Sequence, residues 1–344
     1  MARHHKISVI LALLLCFQTG HAEWVKQSTG TLSWLKDIFF IGPAKGWIAG
    51  SDGAMFSTTD GGRTWVRAPK FTSDTLNQIY FTSETTGWLL CERSVYDRTA
   101  DAASYLRKTT DGGRTWERLE FKDAGRDRIK RLVFNREGAG TAIGESGIFY
   151  TLQEDGSSWK KSSSSFHFLL LDGAFSDHNA GAIVGAGGTI LFTMDSGSSW
   201  QKASLLGDTA IRLNAVCFAG HETACAVGTK GRIFYANGLR LWRPADSGTK
   251  ADLNDICFTD VSDGWAVGDD GTILRTRDGG KTWLDVVSPV TKRLEKIIFV
   301  GGRGFAVGFG GTLLTYDAGV TNSDAGRRPC FAAAELKAGR RHET

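Results

Sequence analysis

Asp278-Gly279-Gly280-Lys281-Thr282-Trp283 is one of three near-identical phrases in this sequence, alongside Asp60-Gly61-Gly62-Arg63-Thr64-Trp65 and Asp111-Gly112-Gly113-Arg114-Thr115-Trp116. Its tryptophan keeps a period: Trp24, Trp65, Trp116, Trp159, Trp200, Trp242 and Trp283 stand 41, 51, 43, 41, 42 and 41 residues apart. Looser copies of the phrase run from Glu154 to Trp159, Asp195 to Trp200 and Asn237 to Trp242. Upstream lies a second pattern, Leu253-Asn254-Asp255-Ile256-Cys257-Phe258, then Gly264-Trp265-Ala266-Val267-Gly268, then Gly271-Thr272-Ile273-Leu274-Arg275-Thr276. The next repeat matches it at 294–299, 304–308 and 311–315. Three short apolar runs punctuated by glycine, and a fourth beginning at the tryptophan, predict four strands per repeat. A period near 40 residues with four strands is the signature of a β-propeller.

One small four-stranded sheet exposes two apolar faces and is unstable alone. Stacking each blade between two neighbours buries both faces, and closing the ring removes the exposed ends. The ends of the sequence suit closure. The seventh repeat has Asn322 where its tryptophan should stand, while Glu23-Trp24-Val25-Lys26 is a tryptophan strand with no repeat before it. The expected fold is therefore an all-β, seven-bladed propeller of four-stranded blades over residues 23–322, closed by the N-terminal strand. Residues 1–22 read as a signal peptide: Arg3 and Lys6, then apolar Ile7 to Phe17, then Gly20-His21-Ala22 as a cleavage site. Cys16 lacks the small neighbours that lipidation needs, so export to the periplasm or outside the cell as a soluble monomer is expected. Residues 323–344 match no repeat and read as a flexible tail.

The repeated phrase is an Asp box, in which a carboxylate accepts backbone N–H groups of a tight turn and the tryptophan packs beneath. Asp60, Trp65, Asp111, Trp116, Asp195, Trp200, Asp278 and Trp283 are thus structural. One carboxylate per turn, spread around a ring, cannot supply the six to eight oxygens that calcium takes. No metal or cofactor is expected: His167, His178, His221 and His342 show no metal-ligand spacing, and no phosphate-binding loop is present. Charge argues against nucleic acid, since 41 Lys and Arg against 37 acids falls to a net +2 once Arg3 and Lys6 are removed. Cys217 and Cys225 fall on neighbouring strands and could pair, though buried free thiols are the simpler reading.

The combination Leu-x-x-Ile-x-Phe, Gly-Trp-x-x-Gly and Thr-x-Asp-Gly-Gly-x-Thr-Trp resembles the photosystem II stability/assembly factor family over residues 23–322. The resemblance implies a seven-bladed, non-enzymatic propeller. It also implies a protein-binding assembly factor whose partner is another protein or peptide segment, of the kind found in a membrane complex. Asp boxes also occur in sialidases, so the alternative is a glycan-hydrolysing or glycan-binding propeller. That chemistry needs a nucleophilic tyrosine with an acidic partner and an arginine cluster. Tyr80, Tyr150, Tyr235 and Tyr316 fall on predicted strands, where packing accounts for them.

In a propeller, the loops entering each first strand share one face with the loops between second and third strands, opposite the Asp boxes. The residue before each first-strand anchor is Trp34, Thr75, Arg128, Leu169, Arg212, Asp252 or Arg293. Three arginines in seven equivalent slots predict a basic channel mouth, joined by Arg131, Lys230, Arg232 and Lys36. The second repeat carries an insertion on the same face with Arg93, Tyr96 and Arg98. Arginine and tyrosine are enriched at protein interfaces, and members of the resembled family carry an arginine patch used for partner binding. These residues are the expected binding site for an acidic or extended peptide.

Overall fold

The computed structural model describes residues 23–94, 102–162, 166–176 and 179–317. The expected signal peptide, Asn322 and the tail lie outside them, as do Tyr96 and Arg98. Seven sheets form the ring. Blade 1 shows the plan, with antiparallel strands Leu35–Phe40, Gly46–Gly50, Met55–Thr58 and Val66–Arg67. The first strands of blades 2 to 7 are Thr75–Phe81, Ile129–Phe134, Leu170–Phe175, Leu213–Phe218, Leu253–Phe258 and Leu294–Val300. Blade 5 gains an outermost strand, Ser204–Leu205, running parallel to Leu241–Ala245.

The glycines and the phenylalanine of each repeat are two halves of one fit. In blade 1 a Cβ on Gly46 would lie 2.6 Å from the Phe40 ring, and one on Gly50 would lie 2.5 Å from the Trp34 carbonyl oxygen. The same conflicts recur at Gly264 with Phe258 and at Gly268 with the Asp252 carbonyl. In blades 1 and 6 the second strand therefore begins and ends on glycine so that the first strand can lie close. The ring of that phenylalanine then meets the blade's own tryptophan edge to face, as in Phe40 with Trp65 at 5.8 Å and Phe258 with Trp283 at 6.3 Å.

Closure repeats this contact with a tryptophan from the other end of the chain. Trp24–Gln27 pairs with Thr312–Asp317 as the fourth strand of blade 7, with Trp24 opposite Tyr316. The Trp24 ring meets Phe299 edge to face at 6.0 Å, the place that Trp65 takes in blade 1. It also packs on Trp265 of blade 6 and is buried.

The Asp boxes act as staples on one face. Asp111 accepts the backbone N–H groups of Arg114 and Thr115 and the hydroxyls of Thr109 and Thr115. These donors hold its carboxyl well below the usual carboxylate range; Ser158 and Ser157 do the same for Asp155, and Ser199 and Thr193 for Asp195, each held at about 2. Two expectations need correction. In blade 3 the turn is built by Asp155, not Glu154, because Asp155 is the residue that accepts Ser157 and Ser158. Fourth strands of four blades start just after the tryptophan, at Val66, Glu117, Gln201 and Leu284. There the tryptophan belongs to the turn, where its ring fills the space under the box. Cys91, Cys225 and Cys257 are buried free thiols, Cys225 standing opposite Cys217 in register.

Replacing Trp24 by Ala removes the ring that seals blade 7. The expected cost is about 3–5 kcal/mol in urea denaturation, whereas Val25→Ala on the exposed face of the same strand should stay within about 0.5 kcal/mol. Equal small effects for both would show that the seam is sealed elsewhere.

Candidate functional site

The first strand of every blade is the inner edge of its sheet, so some of its N–H groups lack a strand partner and must be satisfied otherwise. In four blades the residue two places after the anchor meets this need. Asp37 accepts the Ile79 N–H of blade 2 at 2.9 Å, Asp172 the Val216 N–H at 3.0 Å, and Asp255 the Ile297 N–H at 2.8 Å. Gln78 accepts from Leu132 N–H and donates back to its carbonyl. Each of these joins one blade to the next. The same slot holds Arg131 in blade 3 and Lys296 in blade 7, which pair with Asp172 at 2.8 Å and Asp255 at 2.9 Å. The result is a belt of paired charges across the channel, with buried carboxylates at Asp37, Asp172 and Asp255.

Burial pushes the Asp37 and Asp255 carboxyls up, against the pull of Arg131 and Lys296 on Asp37 and of Lys296 on Asp255. For Lys296, burial opposes the charged form, yet the carboxylates of Asp255, Asp172 and Asp37 outweigh it and raise its pKa. Below the belt, towards the Asp-box face, the channel is an apolar chamber of about 140 Å³ with Phe39, Tyr80, Val133 and Ile298 in its wall. Above it opens a wider, polar mouth of about 550 Å³ lined by six cationic and four acidic side chains.

The three slot arginines reach this upper face but differ in what holds them. Arg128 is engaged by Glu92 at 3.0 Å and lies 3.9 Å from Glu145. Arg293 is engaged by Asp269 at 2.7 Å and Glu295 at 3.2 Å. Arg131 lies deeper, in the belt. Arg212 stands apart: its Nε donates to Asn214, its nearest carboxylate, Asp252, is 3.8 Å away, and its side chain is 46% exposed. Lys230 and Arg232 share this corner of blade 5, both exposed and without an ion pair among the described residues. Lys230 sits at the left-handed centre of the turn after the second strand, with its backbone N–H on Asp252. Arg93 is placed differently from the expectation. It packs on the Tyr105 ring and bonds to Ala102 and to Glu120 of the outermost strand, turned away from the mouth.

The belt carboxylates went unread in the sequence, although their signal is present there. An acidic or basic residue interrupts an apolar strand two places after the anchor in five of seven repeats, at Asp37, Arg131, Asp172, Asp255 and Lys296. Sequence pointed to Arg131 alone among them. No cluster of potential metal ligands exists among the described residues, and no helix among them is long and apolar enough to cross a membrane.

Comparison with known proteins agrees with this architecture. The family model described as photosynthesis system II assembly factor YCF48 matches residues 17–123, 151–238 and 234–325. The chain belongs to that family. Photosystem II assembly lipoprotein Ycf48 of Picosynechococcus sp. is 24% identical, the alignment taking in 90% of this chain and 94% of its own. Photosystem II stability/assembly factor HCF136 of Cyanidioschyzon merolae is 43% identical over 65 residues, 18% of this chain and 15% of its own. Among solved structures, YCF48 bound to a D1 peptide superposes with a TM-score of 0.71 at 21% identity, covering 87% of this chain and 96% of that one. A virginiamycin B lyase from Staphylococcus aureus superposes at 0.69 with 11% identity, covering 86% of this chain and 99% of its own. At that identity the likeness speaks for the ring alone.

Lys296→Met would leave Asp255 buried beside one fewer cation, and should destabilise the protein by about 3–5 kcal/mol. Adding Asp255→Asn should recover most of that loss, because the amide oxygen still accepts the Ile297 N–H. Urea denaturation of the single and double variants checks this, and additive losses would contradict it.

Proposed function

We propose that this chain is an exported, non-enzymatic scaffold that holds an extended acidic segment of another protein across its upper mouth during assembly of a membrane complex. The observation that carries this reading is the corner of blade 5. Arg212, Lys230 and Arg232 stand exposed there without full counter-charge, at the rim of a mouth whose lining is net positive. Exposed guanidinium and ammonium groups beside a concave polar site suit carboxylates, and such fields also speed association.

Family membership supports an assembly role, and a YCF48 has been solved with a D1 peptide bound. The charged and apolar run at 1–22 supports export. The glycosidase alternative finds little support in the described tyrosines. Tyr105 is buried and donates to Asp74, Tyr150 is buried and donates to the Lys122 carbonyl, and Tyr80 lies between Phe39 and Phe134. Burial also pushes the Tyr80 and Tyr150 hydroxyls up to about 12, away from nucleophilic use.

Fluorescence anisotropy with a labelled D1 peptide tests the proposal. Binding should weaken as salt rises, and Arg212→Glu with Lys230→Glu should cost at least about tenfold, or about 1.4 kcal/mol. Lys281→Glu, on the Asp-box face, should leave affinity unchanged. Absent binding, or binding indifferent to the blade 5 charges, would overturn the proposal.

A further inference from the structure

The repeats provide their own control, because a position that departs from the other six blades is not explained by the needs of the ring. Two slots face each other at the upper end of each blade. One is the residue before the first strand. The other follows the second strand and donates its N–H to the first slot's carbonyl, as Ser51 does to Trp34, Thr229 to Arg212 and Phe309 to Arg293. The second slot reads Ser51, Glu92, Glu145, Ala186, Thr229, Asp269 and Phe309 around the ring. Trp34 and Phe309 are the only aromatic residues in either slot. They belong to adjacent blades, 1 and 7, and meet across the seam edge to face at 5.5 Å.

Both rings stand outside the cores between blades. Phe309 is 50% exposed and Leu32, in the adjoining loop, is 86% exposed. That loop is fixed against the Phe309 turn, with Gly311 N–H donating to the Ser33 carbonyl and the Thr29 hydroxyl to the Gly311 carbonyl. None of Leu32, Trp34 and Phe309 joins the apolar cores between blades. Trp34 is anchored by its own backbone N–H, which donates to the Ser51 hydroxyl, and the Lys36 ammonium lies 3.1 Å from its ring centroid. Its indole N–H is buried, so the side-chain surface it offers is carbon.

We infer that Leu32, Trp34 and Phe309 form an apolar docking point for one large hydrophobic side chain of an acidic extended peptide. This deepens the reading of the mouth as an acidic-peptide site and rests on it. The occupant follows from charge complementarity: Trp34 lines the same cationic cavity as Arg212, so a ligand filling that mouth meets both. The two sectors divide the work. In the seam sector the cations are already spent on carboxylates, Lys36 and Arg293 both on Glu295, and what remains open is aromatic surface. In the blade 5 sector the cations remain open. Rigid aromatic anchors flanked by charge are typical centres of binding energy.

The test uses a short labelled peptide of Glu, Asp, Gly and Ser carrying one central Phe, and its twin with Ala in that place. The protein should bind the Phe peptide about tenfold more tightly. Phe309→Ser, which installs the blade 1 residue of the same slot, should abolish that preference while leaving the affinity for the Ala twin unchanged. Leu32→Ser should reduce the preference in part, and both variants should melt with the parent. Equal affinity for the two peptides, or a preference that survives Phe309→Ser, would overturn the inference. A preference lost on Phe168→Ser instead would also overturn it, since that exposed ring belongs to blade 4. Arg212→Glu separates the two ideas by weakening both peptides alike with their ratio kept. If it changes neither while the Phe preference holds, the acidic-peptide reading fails and the docking point stands. Binding of neither peptide overturns both.

Discussion

The inner edge of each blade is the constraint on which this molecule turns. A propeller places seven strand edges around its axis, and each edge carries backbone N–H groups that its own sheet cannot satisfy. Here the neighbouring blade supplies the acceptor, through Asp37, Gln78, Asp172 and Asp255. The carboxylates in turn need counter-charge, because burying them alone would be costly, and Arg131 and Lys296 provide it. One requirement of backbone chemistry therefore produces a charged belt at mid-channel. That belt separates an apolar chamber below from a polar mouth above.

The rest of the ring divides labour between its faces. Turns closed by Asp boxes fasten third strands to fourth strands on one face, where aspartates spend their oxygens on nearby hydroxyls and N–H groups. The opposite face is held by backbone bonds between the two slots, which leave the side chains there free to vary. Variation accordingly collects on the upper face. Blade 5 gathers Arg212, Lys230 and Arg232, and the seam gathers Leu32, Trp34 and Phe309.

Much of this was legible in the sequence because its causes are local. The tryptophan period, the glycines that bracket second strands, and the lone Trp24 with its missing counterpart fixed blade number and closure. Spacing from Trp159 points to Glu154 and the turn uses Asp155, because spacing alone does not show which carboxylate meets the turn's N–H groups. The basic mouth was legible as a set of positions but not as a set of charges. Arg128 and Arg293 find their carboxylates, Glu92 and Asp269, on neighbouring blades, and reading one repeat at a time does not show contacts between repeats. The seam patch was hidden for the same reason: Trp34 and Phe309 are 275 positions apart in sequence and 5.5 Å apart in space.

Partner binding at the upper face, above the charged belt, is what the proposed function requires. Hydrogen–deuterium exchange with and without a D1 peptide tests it most directly. Protection is predicted at 29–36, 209–214, 229–232 and 309–311, with the Asp-box turns at 58–65, 109–116 and 276–283 unchanged. Protection confined to those turns would place the partner on the opposite face and contradict the account.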